Sequence, residues 1–262
     1  MYKLIFMKAS VVIANYNNAK YIDDCINSLI SQTYKNIEII FFDDNSKDNS
    51  IETINKFENV KVIENNYQTN FGSFNQMNAF EKAIEVSNGE IIFFLDSDDF
   101  FHKEKIEKII KIFSNDNDKN IIYDLPIIIK KNSKTNQKKP NNFFKTYWGY
   151  IHPTSCISIR KKFTKKVFKS VFNDRFPNIW LDLRILLFSK YIHSYDVIYE
   201  NLTYYRQSDE NVSSKFKKYS KSWWARRNEA HNYFLYFMKK NNLKFEKNLD
   251  YYFTKIVSKL IK

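Results

Sequence analysis

The nine residues from Ile91 to Asp99 read Ile-Ile-Phe-Phe-Leu-Asp-Ser-Asp-Asp, so an apolar run ends in three nearly adjacent carboxylates. The apolar run is typical of a buried strand. Carboxylates this close repel one another and lose hydration when they are buried, unless a cation or strong donors neutralise them. Mg²⁺ and Mn²⁺ accept one or two carboxylates together with substrate phosphates, so a metal and phosphate site is one interpretation. A solvated acidic turn that caps a helix beginning near Lys103 is the other.

Strand and helix patterns alternate through the preceding ninety residues. Short apolar or β-branched runs are separated by segments in which apolar residues recur at helical spacing. The predicted strands cover residues 9–14, 37–42, 60–64 and 91–95, and the predicted helices cover residues 21–30, 50–57 and 74–86. This alternation predicts a parallel sheet with helices on both faces.

Polar clusters follow three of the four predicted strands. They are Asn15–Asn18, Asp43–Ser46 and Asp96–Asp99. In sheets of this type, ligands bind in the crevice beyond the carboxyl ends of the strands. We therefore expect the three clusters to meet on one rim and to form a ligand site there.

Four sequence motifs follow one another in a recognisable order: Ser10–Asn17, Ser28–Tyr34, Phe42–Asp48 and Leu95–Asp99. They resemble the first strand and loop, the end of the first helix, the nucleotide-binding acidic turn and the metal-binding DxD motif of the family 2 glycosyltransferases of the GT-A fold. The resemblance covers Lys8–Lys105. It implies an α/β fold with a Rossmann-like, mostly parallel sheet flanked by helices, here with a helical C-terminal extension.

The resemblance also implies roles for individual residues. Asp44 and the loop Asn15–Asn17 would hold the base and ribose of a nucleotide-sugar, usually a UDP-sugar. Asp96 would reach the ribose or the sugar, and Asp98 or Asp99 would bind Mn²⁺ or Mg²⁺. The predicted metal ligands are therefore Asp98 and Asp99, and the predicted donor-binding residues are Ala14, Asn15, Tyr16, Asn17, Asp43, Asp44, Asp96, Ser97, Asp98, Asp174 and Arg206.

Asp182 falls in the first turn of a predicted apolar helix. By composition alone, a helix-capping aspartate is the ordinary interpretation. Its neighbours Trp180 and Leu183 form an apolar setting that would raise the pKa of Asp182, whereas the helix N-terminus would lower it. The resemblance implies that Asp182 is the catalytic base of an inverting enzyme, with Leu181 in place of the usual Glu.

Two charged residues flank this candidate base. Arg184 is expected to partner Asp182 or a phosphate. Asp174 belongs to Phe172–Phe176, which resembles the segment before the base in which an Asp often meets the donor sugar.

The acceptor is expected to contact His152 and Trp180. For His152, simple packing beside Trp148 and Tyr150 is the alternative. The lysine-rich segment Lys130–Asn142 is predicted to be a mobile polar loop.

A second predicted loop, Leu202–Ser213, resembles the family's flexible segment that closes over the donor. Arg206 would provide a cation for the diphosphate, because a guanidinium fork suits phosphate geometry. Ser208 stands where many members carry a His, so a protein ligand to the metal from this loop is not expected.

Composition favours anionic partners. The 262 residues include 42 Lys and Arg against 29 Asp and Glu, for a formal net charge of +13. The basic residues are scattered and show no nucleic-acid-binding motif, so nucleic acid is not expected as a partner. The abundance of lysine also has a simpler explanation in an AT-rich genome.

From Lys215 onward, basic residues alternate with aromatic ones, including Trp223 and Trp224. A helix of this composition could lie on an anionic membrane surface, or it could pack its aromatic face on the catalytic domain. Both interpretations stay open. No apolar run reaches the roughly 18 residues that a membrane span requires.

The predicted location is the cytoplasm, with peripheral contact to the inner face of the membrane. Met1–Phe6 is too short for a signal peptide. Cys25 and Cys156 lie in apolar settings that are typical of reduced thiols.

We therefore predict a metal-dependent inverting glycosyltransferase that moves a sugar from a UDP-sugar to a glycan or lipid-linked glycan in bacterial surface polysaccharide synthesis. The predicted domains are a catalytic domain over residues 1–214, with a nucleotide-binding half (1–100) and an acceptor half (101–214), and a basic, aromatic, helical extension over residues 215–262.

Two alternatives remain. A nucleotidyltransferase would be expected to carry a glycine-rich basic loop after its first strand, where this chain has Asn15–Lys20 without glycine. A nucleotide-sugar-binding protein without transferase activity would need no base, so Asp182 argues against it.

Overall fold

The computed structural model describes residues 7–131, 133–140, 146–207 and 216–261. The strands are β1 (Ala9–Asn15), β2 (Ile37–Asp43), β3 (Val60–Glu64), β4 (Ile91–Asp96), β5 (Phe100–Phe101), β6 (Ile121–Lys130), β7 (Ser133–Asn136), β8 (Ile157–Arg160) and β9 (Asp196–Arg206). The helices are α1 (Ala19–Ile30), α2 (Ser50–Ile54), α3 (Gly72–Glu85), α4 (Lys105–Asn115), α5 (Lys161–Val171), α6 (Leu181–Tyr191), α7 (Lys221–Lys240) and α8 (Leu249–Leu260).

All nine strands join one sheet in the order β3-β2-β1-β4-β8-β6-β9-β5, with β7 paired to β6. The first four strands of this order are parallel, and Ala9 of β1 lies opposite both Ile37 and Ile91. The expected strands and helices of this half are confirmed, although α2 ends at Ile54 rather than Phe57.

Beyond β4 the pairing is mixed. β8 runs antiparallel to both β4 and β6, whereas β6 and β9 are parallel and β5 runs antiparallel to β9. The expected α/β fold is confirmed, with the parallel pairing concentrated in the half that carries the three polar clusters.

The expectation of a loop over Lys130–Asn142 is wrong at β7. Residues Ser133–Asn136 pair antiparallel with β6, with Ile129 opposite Lys134. All four β7 residues are exposed, so the strand is held by backbone pairing to β6 and shows no apolar pattern in the sequence. Residues 132, 141 and 142 lie outside the described part of the chain.

Alternate residues of the central strands enter two different apolar layers, because successive side chains of a strand point to opposite faces. Val12, Ile40 and Phe94 pack with α3, α5, α6 and α7. Val11, Phe41 and Phe93 pack with α1, α2 and α4 on the other face. The sheet is therefore covered on both faces, which leaves its strand ends as the place for polar chemistry.

The C-terminal helices pack in different ways. In α7, Tyr233, Phe234 and Phe237 are buried in the same apolar layer as α6, so the packing interpretation is confirmed for this helix. α8 lies against α7.

Residues 208–215, which contain the predicted domain boundary, lie outside the described residues. Within the described residues, no helix is both long and apolar enough to cross a bilayer.

Candidate active site

The carboxyl ends of β1, β2 and β4 bring the predicted polar clusters together. Asn15 lies opposite Asp43, and Ala14 lies opposite Asp96. The loop after β1 then contacts the loop after β4, because Asn18 Nδ2 donates to Ser97 Oγ at 3.0 Å. Parallel strands end at the same edge of a sheet, which explains why residues so distant in sequence meet here.

Asp43 fixes the shape of the first two loops. Its Oδ1 accepts from Asn15 Nδ2 at 2.7 Å and from Ser46 Oγ at 2.6 Å. Ser46 Oγ in turn accepts from the backbone N–H of Asn17 at 2.9 Å. Asn17 and Asn45 both have positive φ, which asparagine tolerates better than most residues. Asp43 is buried, and its hydrogen bonds in this network stabilise the conformation of both loops.

Asp44 is held by a polar segment that follows β3. Asn65 Nδ2 donates to its Oδ1, and Gln68 Nε2 donates to its Oδ2, each at 2.7 Å. The sequence analysis missed both partners, although Asn65 directly follows a predicted strand end. Nearby, Tyr16 is exposed.

The three carboxylates after β4 have different surroundings. Asp99 is 1% exposed, and it accepts from Ser155 Oγ at 2.6 Å and from the backbone N–H of Arg206 at 2.9 Å. Asp96 accepts from Gln76 Nε2 at 2.8 Å. The Asp98 side chain is only partly buried. These differences favour Asp98 as the ligand of a cation. They favour a structural role for Asp99, which joins the segments that contain Ser155 and Arg206.

The electrostatics of this cluster fit a cation. Burial raises the pKa of Asp96 to about 7, and the charges of Asp98 and Asp182 add to this effect. Burial also raises the pKa of Asp98 to about 6, although the Arg206 charge opposes it. The described residues contain no cluster of three or more His, Cys, Asp or Glu side chains arranged for a metal. One aspartate plus substrate phosphates is an ordinary Mg²⁺ or Mn²⁺ site, so Asp98 fits such an ion when a diphosphate is present.

Asp182 lies in the first turn of α6, which begins after the N-cap residue Trp180. The backbone N–H of Leu183 donates to Asp182 Oδ1 at 2.6 Å. Burial raises the pKa of Asp182, and the charge of Arg226 on α7 partly opposes this rise. The expected helix start is confirmed, and a raised pKa suits a group that must accept a proton near neutral pH.

Arg184 does not partner Asp182 or line the cleft, so that expectation is wrong. Its guanidinium is fully buried and donates to the backbone carbonyls of Ile179, Val171 and Phe176 at 2.8 Å each, with a fourth bond to Asn173 at 3.3 Å. The helix geometry turns Arg184 inward, where its guanidinium satisfies four backbone carbonyls at the end of α5 and in the loop that precedes α6.

The remaining predicted residues are spread around the cleft. Trp180 covers the start of α3, where a Cβ added to Gly72 would lie 3.0 Å from the indole. His152 is buried between Tyr123 and Tyr150, and burial lowers its pKa to about 4. This environment favours the packing interpretation for His152. Asp174 is exposed in the loop between α5 and α6.

Arg206, at the end of β9, joins three parts of the site. Its NH1 group donates to the Asp98 carbonyl at 2.8 Å, its NH2 group pairs with Asp24 of α1, and its guanidinium lies between the rings of Tyr21 and Phe100. The loop residues 208–213, including Ser208, lie outside the described residues.

A buried ion pair beneath the carboxylates was not predicted. Lys105 Nζ lies 2.8 Å from Asp124 Oδ1 and donates to Thr203 Oγ1 and to the Ser155 carbonyl, each at 2.6 Å. Ser155 also binds Asp99 through its hydroxyl, so this ion pair supports the acidic cluster. The sequence signal was weak, because Lys105 is an ordinary residue for the start of a helix.

Tyr205 was also missed. Burial raises the pKa of its hydroxyl, and the charges of Asp99, Asp98, Asp182 and Asp96 raise it further. The phenol therefore stays protonated near these carboxylates.

The sequence model of Glycosyl transferase family 2 matches residues 10–173, which hold β1 to β8 and the whole acidic rim. The chain belongs to glycosyl transferase family 2. This family 2 chain is 31% identical to an uncharacterized glycosyltransferase of Nostoc sp. over 217 residues, which cover 76% of this chain and 65% of the relative. It is 41% identical to the UDP-Glc:alpha-D-GlcNAc-diphosphoundecaprenol beta-1,3-glucosyltransferase WfaP of Escherichia coli over 103 residues, or 38% of this chain and 39% of that relative. The chain thus spans less than two thirds of the length of either relative.

Among solved structures, TarS of S. aureus (residues 1–349, in complex with UDP-GlcNAc) aligns with a TM-score of 0.64 and 17% identity over 97% of this chain and 71% of that chain. At this identity the likeness concerns the fold, and it confirms the GT-A fold that the sequence motifs predicted. The family model includes the strand ends that carry Asn15, Asp44 and Asp98 but ends before Asp182.

Proposed function

We propose that this protein is a metal-dependent inverting glycosyltransferase that moves a sugar from a UDP-sugar to a glycan or lipid-linked glycan acceptor, in the synthesis of a bacterial surface polysaccharide such as a capsule. One observation carries the proposal: the ends of β1, β2 and β4 bring the polar clusters that contain Asn15, Asp43 and Asp96 onto one rim. Asp182, from the second half of the chain, lies near enough to this rim for its charge to act on Asp96. A candidate base therefore faces a candidate donor site. The donor and the lipid-linked acceptor in the name of WfaP support the substrate class.

In this proposal, the first two loops bind the nucleotide. Asp44, oriented by Asn65 and Gln68, accepts hydrogen bonds from the base or ribose. The loop Ala14–Asn17, shaped by Asp43, places the exposed ring of Tyr16 at the rim of the site. Asp96 and Ser97 face the ribose or the sugar.

Asp98 holds a divalent cation in this account, and a bound cation would offset the negative charge that develops on the departing diphosphate. Asp99 acts differently, because it is only 1% exposed and accepts bonds from the Ser155 hydroxyl and the Arg206 backbone N–H in the interior. Asp99 thereby keeps Arg206 beside the Asp98 carbonyl, where its positive charge also favours a diphosphate.

Transfer proceeds as a single displacement. The acceptor hydroxyl oxygen attacks the anomeric carbon of the sugar, the bond from that carbon to the β-phosphate oxygen breaks, and UDP leaves with the electron pair. Asp182 takes the proton of the acceptor hydroxyl, and its raised pKa suits this task. Trp180, which covers the start of α3, is the proposed contact of the acceptor, and Asp174 stays a predicted contact of the donor sugar. For His152, a contact with the acceptor stays a prediction that its burial does not favour.

The proposed location is cytoplasmic. Cys25 and Cys156 are both buried free thiols, as in proteins that fold in a reducing compartment.

Thermal unfolding with nucleotides tests the proposal. We expect UDP and UDP-sugars to raise the Tm when Mn²⁺ is present, because a ligand that binds only the folded state stabilises it. GDP, CDP and dTDP should give smaller shifts. Asp44→Ala should abolish the UDP shift, whereas Asp118→Ala, at an exposed position before β6, should retain it. No shift with any nucleotide would contradict the proposed function.

A further inference from the structure

The last helix presents its apolar side chains outward. Leu249, Tyr252, Phe253, Ile256 and Leu260 of α8 are between 52% and 88% exposed. Their spacing follows the helical repeat, so they form one continuous stripe along the helix. We call these five residues the α8 stripe.

Polar contacts fix this orientation. On the opposite side of α8, Thr254 is fully buried, and its Oγ1 accepts from Arg227 Nε of α7 at 3.2 Å. Arg227 also pairs with Asp250. Lys255 Nζ donates to Asn232 Oδ1 of α7 at 2.6 Å. A typical surface helix turns its apolar face toward the core, and α8 does the reverse.

Aromatic residues extend the α8 stripe onto α7. The ring of Phe253 lies 5.7 Å from that of Trp224, and Trp224 lies 4.7 Å from Trp223. Trp223 in turn lies 5.5 Å from Tyr219, which is exposed. Tryptophan and tyrosine are enriched where a membrane meets water, because one end of each side chain is apolar and the other is polar.

The segment that carries the α8 stripe is positively charged. Residues 216–261 contain eleven Lys and Arg residues against three acidic residues, Glu229, Glu246 and Asp250. Of these three, Asp250 is already paired with Arg227, and Glu229 binds Asn178. Lys259 is exposed and flanks the stripe.

We propose that the α8 stripe, together with Trp224, docks the protein onto an anionic lipid bilayer. An apolar stripe, interfacial tryptophans and a surplus of lysines on one helix pair are the features that favour binding in the headgroup region. A second copy of the chain fits less well, because a symmetric contact would bring the same positive charges together.

Docking here would have a consequence for the active site, and this step rests on the proposed function. Arg226 follows Trp224 by two residues on α7, and its charge acts on Asp182. Its Nε donates to the Asn178 carbonyl in the loop before α6. Residues two apart point to different sides of a helix, so α7 would contact the bilayer through Trp224 on one side and the loop before the proposed base through Arg226 on another. The helix would thereby link a docked bilayer to the segment that carries the proposed base.

Vesicle co-sedimentation of the full chain tests the docking. We expect binding to vesicles that contain phosphatidylglycerol and weak binding to vesicles of phosphatidylcholine alone. Phe253→Ser with Ile256→Ser should weaken binding by at least about tenfold, because two apolar side chains that would enter the bilayer are lost. Ile30→Ser is the matched control, since Ile30 on α1 is 57% exposed and Ile256 is 59% exposed.

A charge reversal tests the lipid preference. Lys247→Glu with Lys259→Glu should weaken binding to phosphatidylglycerol vesicles by at least about tenfold, since each interfacial lysine contributes about fivefold. Lys56→Glu, an exposed position after α2, should leave binding unchanged. Circular dichroism and the Tm of each variant establish that it is folded.

Three outcomes would overturn the docking proposal. The first is equal binding of the wild-type and stripe variants to phosphatidylglycerol vesicles, and the second is no binding of either. The third is a change from dimer to monomer in the stripe variants by light scattering, which would assign the stripe to self-association. The UDP-dependent Tm shift of the stripe variants reports on the proposed function separately, because no residue of the stripe belongs to the donor site.

Discussion

Asp182 at the start of α6 lies near enough to Asp96 at the end of β4 for its charge to act there: after burial and the charge of Asp98, the Asp182 carboxylate further raises the pKa of Asp96. This relationship joins a helix of the second half to the parallel sheet of the first. A sugar bound at the sheet rim would therefore have the Asp182 carboxylate nearby. The proposed mechanism depends on this arrangement.

Asp98 and Asp99 should respond differently to substitution. Asp98→Asn should not lower the Tm of the cation-free protein but should remove the Mn²⁺-dependent shift with UDP, because the amide is a poor ligand for a hard cation. Asp99→Ala should lower the free energy of unfolding by about 1–3 kcal/mol, because Ser155 Oγ and the Arg206 N–H lose their acceptor. Denaturant unfolding and thermal shifts measure both effects. A retained Mn²⁺ effect in Asp98→Asn would remove Asp98 from the metal site.

Stabilisation by Mn²⁺ should depend on pH. The folded-state pKa values of Asp98 and Asp96, about 6 and about 7, lie above the ordinary aspartate value. The folded protein thus retains protons that the unfolded chain releases, so the free energy of unfolding of the cation-free protein falls as pH rises from about 4 to about 7. A cation offsets this loss only when the carboxylates are ionised. The Tm increase with Mn²⁺ and a UDP-sugar should be larger near about pH 7.5 than near about pH 5; equal increases would contradict the account.

Replacement of Arg184 should unfold or strongly destabilise the protein. Arg184→Met leaves the backbone carbonyls of the loop before α6 without donors, which costs about 3–5 kcal/mol by analogy with other buried charged networks. Arg175→Met, an exposed position in the same loop, is the matched control and should change the free energy of unfolding by less than about 0.5 kcal/mol. Urea unfolding measures both. A small loss for Arg184→Met would show that water replaces its bonds.

The buried pair Lys105 and Asp124 gives a double-mutant test. Lys105→Met leaves Asp124 buried without its cation and should cost about 3–5 kcal/mol. Lys105→Met with Asp124→Leu removes both charges and should recover part of that loss. The free energies of unfolding of the wild type, both single variants and the double variant give the coupling. Additive losses would mean that the two charges are not coupled.

Much of the fold followed from the sequence because its signals are local. Strands β1 to β4 are apolar runs that end in polar clusters, and parallel pairing takes those ends to one rim. β7 was missed, since an exposed strand that is held by backbone bonds leaves no apolar pattern.

Side-chain partners at the site were harder to predict, because they depend on packing between distant segments. Arg184 follows the candidate base Asp182 by two residues, yet the helix turns its guanidinium into the interior. Lys105 and Asp124 look like ordinary surface charges until α4 and β6 pack together. The outward stripe of α8 is visible only when the packed side of that helix is known.

The measurement that tests the central claim most directly compares transfer and UDP binding in Asp182→Asn. The substitution keeps the size of the side chain and removes its ability to take a proton, so the rate of sugar transfer should fall by about 100-fold or more. The UDP-dependent Tm shift should stay as in the wild type, and Asp118→Asn should match the wild type in both assays. Transfer at near wild-type rate by Asp182→Asn would contradict the assignment of Asp182 as the base.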